Sequence, residues 1–569
     1  MTTEAAAATT TRPADVGLKR EMGLIGATWA SETSIIGSGW LFGSYFAAIA
    51  IGPAAIIDWL IGGAAVAILA LVHAELGGMY PVAGGTARFP HYAFGSIAGI
   101  SFGFFSWLQA LAVAPIECYA VMQYGQHWFN AHHFYIFNAT SGNVTGTGFV
   151  FTIILMAIFT AVNFLAMRLF NYVNAGLTWW KVAVPVATII VLLFYWHGGN
   201  FSAGGGFIPS GVGWKDIFTA LPASGIVFAY LGFEQADQLA GEVRNPQKNL
   251  PRAIILAMLI GTVIYVMLQV VFIAAMKPSL LTHGGFAGLV CPTHGTCATA
   301  VSTIVSGPFA GLAGALGLTA LAIILYLDAF ISPAGTGLVY QTSTSRIGYG
   351  LARNRYYPPW YQWVDRNGIP WISLISAFVF GLIFLLPFPS WHSLVGLITS
   401  ASVLMYAAAP LSLAAFRRQV PDAPRPYRMP GAAVIAPLAF VIANMIIYWS
   451  GFETIWKLGI CIVIGYVLTG TWIVYARAVK PELAPPLDRQ NWLSAQWLPV
   501  YLLGIGIISW QGQFGPDNTG RLPFWWDMLV VAIFSLVIFY WAQFAKLPRD
   551  EMQMIVAQQA GTAPDPRVH

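Results

Sequence analysis

Apolar stretches of roughly twenty residues follow one another along almost the whole chain, with very few charges inside them. They fall at about 24–51, 54–76, 97–124, 148–170, 173–196, 216–240, 252–276, 309–343, 370–388, 391–416, 432–450, 454–476, 494–511 and 524–545. A helix needs roughly 20 residues to cross the hydrocarbon core, so the pattern predicts about fourteen transmembrane helices. An outer-membrane barrel would instead show strands of about ten residues with alternating polarity. These runs are continuous and apolar on every side, which predicts an all-α polytopic membrane protein. Of 569 residues only 9% are charged, against about a quarter in soluble domains. That excludes a cytosolic enzyme, a nucleic-acid binder and a disordered chain. The 22 tryptophans suit a protein that holds two membrane–water interfaces. A net charge of +5 is too small and dispersed to indicate a polyanionic partner.

Basic residues set the expected orientation. With residues 1–23 placed in the cytoplasm, 22 of the 27 Lys and Arg fall on the cytoplasmic side. Only Lys215, Lys277, Lys457 and Arg521 fall opposite, and Lys181 lies inside a span. This satisfies the positive-inside rule and predicts a multi-pass protein of the cell membrane, the bacterial cytoplasmic membrane, with both termini cytoplasmic. Residues 1–23 and 546–569 read as short tails, and the first of them lacks the apolar core of a cleavable signal. Nothing in the pattern sets an oligomeric state.

Cys291 and Cys297 share an outer loop, six residues apart. On an oxidising face this spacing suits a disulfide; with His294 between them a metal clip is the other reading, although the spacing fits no standard zinc site. Cys118 and Cys461 sit in apolar spans as small side chains. His73 and Glu75 lack the second helical histidine a zincin site needs. No motif implies a cofactor or a metal.

The informative residues lie at membrane depth. The first span carries Ile35-Ile36-Gly37-Ser38-Gly39-Trp40 in mid-run, and the sixth carries Phe228-Ala229-Tyr230-Leu231-Gly232-Phe233-Glu234. Glycine costs a helix about 1 kcal/mol against alanine. Interruptions at matching positions of two halves point to a transporter of inverted repeats with a site at half-depth. Each break frees N–H groups at one half-helix start and C=O groups at the other's end, poles suited to a carboxylate and an ammonium. A zwitterion satisfies both. The plainer reading is that the glycines only let helices approach closely.

At these residues the chain resembles the amino acid–polyamine–organocation (APC) superfamily of permeases, over about residues 18–480. Ile36-Gly37-Ser38-Gly39 is similar to the family's first-helix motif, although Trp40 stands where a small aliphatic residue is usual. Tyr80 to Gly85 through Phe94-Gly95, Phe228 to Glu234 followed by Gly241 to Arg252, Thr344 to Asn354, and Arg417 to Arg428 resemble further family segments in the same order. The resemblance implies a LeuT-like core of five plus five inverted helices over 24–416 (helices 1–5 at 24–196, helices 6–10 at 216–416). Helices 1 and 6 would be broken. Supporting helices would follow at 432–476 and an extra pair at 494–545. It implies a carboxylate-binding turn at Gly37, Ser38, Gly39 and the Trp40 N–H. The substrate amine would meet carbonyls near Ile35, Ile36, Phe228 and Ala229, with Gly232 in the second break and Phe228 or Tyr230 as an aromatic lid.

Lys181 stands inside the fifth span. A lysine there costs roughly 3 kcal/mol on insertion scales, so a functional partner is the expectation. Pro185 cannot donate to the carbonyl of residue 181, which leaves an acceptor beside it. Some proton-coupled relatives have a lysine at the matching place, so Lys181 is expected to be the proton-coupling residue. Asp328, Ser332 and Thr336, four apart on the eighth span, would supply its counter-ion and hydroxyls, and Glu32 could join the proton path. Snorkelling or a static ion pair is the alternative for Lys181. Glu117 and Glu234 are expected to combine structural and gating roles, and Asp237, Glu242 and Arg244 to form an ion-pair network at the inner end. The function expected is secondary active transport of amino acids by proton-coupled symport and alternating access. The alternatives are an amino acid/amine exchanger without net proton coupling and a non-transporting nutrient receptor. The partners expected are an amino acid, protons and the lipid bilayer.

Overall fold

A computed structural model describes residues 20–138, 143–164, 167–282, 284–291, 297–387, 390–516 and 520–559. Residues 1–19 of the first expected tail, 560–569 of the second, and His294 lie outside the described residues. The described chain is all-α; extended residues pair only as isolated bridges such as Met22 with Val243. Eleven helical stretches are by themselves long and apolar enough to cross a bilayer, where about fourteen spans were expected. Three of the expected spans account for the difference. The first is split into Leu24–Ile35 and Ser38–Ile51, and its second half runs on through a tight turn at Gly52–Ala54 into Ala55–Met79. The sixth is split more finely, into Trp214–Ala223, Ile226–Tyr230 and Gln235–Gln238. The ninth, Trp371–Leu385, has only 15 residues.

The eighth and third spans also differ from expectation in their boundaries. The eighth span begins at Thr319 rather than near 309, because Gly317 takes a left-handed φ of 79° that ends a short helix, Pro308–Ala315. It then runs to Arg353, well past 343, since Thr342, Ser343, Thr344 and Ser345 are buried and helical although polar. The third helix, Gly85–Ala131, starts earlier than predicted and kinks at Gly95, where φ is 81°. A side chain at Gly95 would meet Asn491 Oδ1 at 2.2 Å, and that same oxygen accepts the Ser96 N–H at 2.5 Å. The kink is therefore a place where the thirteenth span touches backbone.

The third helix lies at the centre of the molecule against the eighth and the tenth, Trp391–Gln419. The last two spans dock on the eleventh, Ala432–Trp449, through side-chain hydrogen bonds. Asn444 donates to Ser535 at 3.0 Å and accepts from Tyr501 at 2.6 Å, and Tyr448 donates to Asp527. Between apolar helices in lipid such bonds hold register where burial alone cannot. Cys291 and Cys297 are joined as a disulfide, while Cys118 is buried and Cys461 half-buried.

The arginine-rich face is closed by ion pairs different from those expected. Glu242 pairs with Arg346 of the eighth helix at 2.8 Å, not with Arg244. Arg244 is exposed and reaches the Arg20 carbonyl, because the Arg244 N–H bonds Met22 at the start of the first span and turns its side chain outward. Asp237 is buried with neither oxygen bonded, facing Gly77 instead. Glu75, expected only to lack a metal role, is the hub of this face. Its buried carboxylate takes Arg417 at 2.5 Å, Arg425 at 3.2 Å and the Met429 N–H at 2.7 Å. Breaking a buried pair by removing one partner strands the other charges. Glu75→Ala is expected to lower stability by about 3 kcal/mol or more, read as a fall in the thermal midpoint of purified protein; an unchanged midpoint would contradict this assignment.

Candidate functional site

The two breaks face each other inside the bundle. In the first span Ile36 and Gly37 leave helical geometry, with φ/ψ of −80°/78° and −114°/−142°, and the helix restarts at Ser38. In the sixth, Leu231 is extended and Gly232 has a φ of 116°, which favours glycine. The contact is backbone to backbone. A Cβ on Gly39 would lie 2.7 Å from the Ala229 Cα, and one on Gly232 would lie 2.7 Å from Ser34. Here the glycines do permit close approach, and they do so at the breaks themselves, so the two readings of them coincide.

Between the breaks lies a cavity of about 10 Å³, lined by Ser34, Ile35, Gly37, Gly39, Val113, Glu117, Phe228, Leu231, Thr336 and Tyr340. That is room for about one water, so an amino acid enters only if these walls move apart. Of the residues expected here, Ile35, Gly37, Gly39, Phe228, Glu117 and Thr336 line the cavity. The others stand just behind it. The Ser38 hydroxyl accepts from Trp391 Nε1 at 2.9 Å. Trp40 is fully buried against Phe309, ring centres 5.2 Å apart. Ala229 and Gly232 serve the backbone contact described above. The Ile36 carbonyl faces Thr336 at 3.5 Å, whereas the Ile35 carbonyl is taken by the Tyr265 hydroxyl at 2.5 Å. Phe228, one of the two residues expected as a lid, meets Trp391 edge to face with ring centres 5.9 Å apart. Tyr230 instead donates to the Trp59 carbonyl of the second span at 2.8 Å.

Both breaks have a carboxylate on a freed N–H. Glu117 of the third helix accepts the Ser38 N–H at 2.9 Å. Glu234 accepts the Gly232 N–H at 2.9 Å, and also takes Gln235, Tyr406 and Tyr340, so it bolts the sixth span to the eighth and tenth. Buried N–H groups without water need such partners.

Lys181 lies beside this cavity and is fully buried. Its ammonium donates to the Thr33 carbonyl at 2.5 Å and to the Thr336 hydroxyl at 2.9 Å, which ties the fifth span to the first and eighth. Thr336 in turn donates to the Thr33 carbonyl at 2.7 Å. Glu32, Glu117 and Asp328 all lie within electrostatic range of Lys181, but the direct partners are neutral oxygens. Asp328 is held by Ser332, which approaches its two oxygens at 2.8 and 2.9 Å. So of the expected trio only Thr336 touches the lysine. Neither oxygen of Glu32 has a hydrogen-bond partner.

Sequence reasoning missed Thr33, Ser34, Val113, Leu231, Tyr340 and Trp391. Helical spacing points to two of them: Val113 is one turn before Glu117 and Tyr340 one turn after Thr336. Thr33 acts through its carbonyl, which side-chain chemistry does not announce. Among the described residues no three His, Cys, Asp or Glu side chains gather as a metal set.

Two helices interrupted in mid-span, apposed across a small cavity inside a multi-pass bundle, are the arrangement of a membrane transporter of the LeuT-like kind. A family profile described as "Amino acid permease" matches residues 22–471. The chain is 35% identical over 536 residues to the glutamate/serine transporter AimA of Bacillus subtilis (strain 168), covering 92% of this chain and 94% of that one. It is 34% identical over 533 residues to the aspartate-proton symporter of the same organism, covering 93% and 97%. The branched-chain amino acid permease BcaP, also from B. subtilis, is 25% identical over 473 residues, covering 81% of this chain and 94% of that one. The chain belongs to the amino acid permease family of the APC superfamily: it is an amino acid transporter, not an enzyme. Placing a methyl group between the two breaks tests the site. Gly39→Ala is expected to cut uptake by about tenfold or more with normal membrane insertion; wild-type uptake would contradict the apposition.

Proposed function

We propose that this permease is a proton-coupled amino acid symporter of the bacterial cytoplasmic membrane, with both termini in the cytoplasm. The observation that carries the reading is the Lys181 ammonium, buried and bonded at once to the Thr33 carbonyl and the Thr336 hydroxyl. A charged ammonium has three donors and a neutral amine two. Protonation therefore tightens the grip of the fifth span on the first and eighth beside the cavity, and proton loss slackens it. Substrate binding at the breaks and the proton on Lys181 act on the same helix contacts, which is the requirement for coupling two ligands through one conformational equilibrium. Asp328 and Glu32 lie within electrostatic range of the lysine without bonding it.

The substrate sits with its carboxylate at the N–H groups that begin with Ser38 and Gly39. Its ammonium lies at the carbonyl end near Ile36 and Phe228, where those half-helices end. Phe228 closes over it against Trp391. Glutamate, serine and aspartate are the first substrates to test, since they are the ones named for two relatives covering over 90% of the chain. The basic residues clustered around the Glu75 and Glu242 ion pairs mark the cytoplasmic face. The ten-helix core extends over 24–416, with 432–476 and 494–545 as supporting helices.

Vesicles containing the purified protein and carrying a pH gradient test the coupling. The wild type is expected to accumulate substrate when the outside is acidic. Lys181→Ala is expected to lose that accumulation while still exchanging labelled for unlabelled substrate. Accumulation by Lys181→Ala at the wild-type level would sink the coupling role; counterflow by the wild type without any pH dependence would favour an exchanger.

A further inference from the structure

Resting on that reading of the site, we propose that the Glu117 carboxylate is a tethered occupant of the substrate-carboxylate position, and that an amino acid binds by displacing it from the Ser38 N–H. Glu117 Oε2 accepts that N–H at 2.9 Å. Its other oxygen has no hydrogen-bond partner, although the side chain is fully buried, and it lies 2.8 Å from where a Cβ on Gly37 would be. The carboxylate thus stands in the cavity wall, on the first free N–H of the half-helix that begins at Ser38. This is the positive pole of a helix start, and a carboxylate is what an amino acid would bring to it. Two carboxylates at hydrogen-bond distance from one N–H repel each other in a setting that screens poorly.

The displaced side chain has a place to go. Lys181 on the fifth span is within electrostatic range of Glu117. The other ionisable groups facing this region are Glu32 of the first span, Cys118 of the third, Tyr265 of the seventh, Asp328 and Tyr340 of the eighth and Glu234 of the sixth. Lys181 is the cation among them, so the Glu117 carboxylate released from Ser38 moves toward it. Substrate arrival at the breaks is thereby felt at the coupling lysine through one side chain. The third helix, central and packed against both the eighth and the tenth, holds the pivot of that side chain in place.

The inference separates ligands by their carboxylate. An amine without one leaves Glu117 where it is, whereas an amino acid competes with it. Equilibrium binding of serine and of ethanolamine, its decarboxylated counterpart, to the full-length protein in lipid nanodiscs tests this. Glu117→Ala is expected to raise the affinity for serine relative to ethanolamine about tenfold over the wild type, the size of one freed hydrogen bond to a charged group. Glu117→Gln, neutral and of the same shape, is expected to fall between the two and carries the test should the alanine variant not fold. Equal changes for both ligands, or a loss of serine affinity relative to ethanolamine, would overturn the inference and leave the permease reading standing. A wild type that bound neither serine, glutamate nor aspartate would overturn both.

Discussion

Inside a bilayer every backbone N–H and C=O must find a partner, and a chain that stops being helical at half-depth breaks that rule on purpose. The first and sixth spans do so within contact of each other, and the rest of the structure answers the groups they expose. Glu117 and Glu234 cover freed N–H groups; Tyr265, Thr336 and Lys181 cover freed carbonyls. All five come from outside the first span and each from a different span, four of them from outside both broken spans. Each substitution of a side-chain bond for a backbone one ties a break to a neighbour, so the breaks are rigidly placed yet held by groups that can let go. In the proposed mode of binding, a small solute with one negative and one positive end takes over from two of these partners.

What the sequence revealed and what it hid divide along this line. The breaks were legible because Gly37, Gly39 and Gly232 in long apolar runs are locally unfavourable and invite an explanation. Lys181 was legible because a buried cation is costly. The long uninterrupted spans were legible from hydropathy alone, down to the fourteenth at 524–545, which matches Phe524–Ala545. Partners were not legible. The spacing of Asp328, Ser332 and Thr336 put them on one face, but only coordinates show that Ser332 bonds Asp328 while Thr336 bonds the lysine. Glu75 looked like an isolated acid because Arg417 and Arg425 are more than three hundred residues away in sequence. Pairings across such separations depend on the bundle, not on local pattern.

The thirteenth and fourteenth spans, for which the sequence suggested no role, close on the central helix at its weakest point. Asn491 accepts the Ser96 N–H beside the Gly95 kink, and Leu547 donates its N–H to the Ala93 carbonyl on the other side of it. Gln419 of the tenth helix bridges the same Ala93 carbonyl and that of Leu547. The residues before the kink continue to Thr86, which bonds Gln238 just beyond the second break. The terminal helices therefore brace the segment that supports the inner half of the sixth span, through hydrogen bonds whose loss would leave buried backbone unpaired.

A cryo-electron-microscopy structure of the protein with a bound amino acid bears most directly on the whole account. The expected density places the ligand carboxylate at the N–H groups of Ser38 and Gly39 and its ammonium at the carbonyl end of the second break, near Phe228. Density for continuous first and sixth helices, or a ligand bound away from both interruptions, would contradict it.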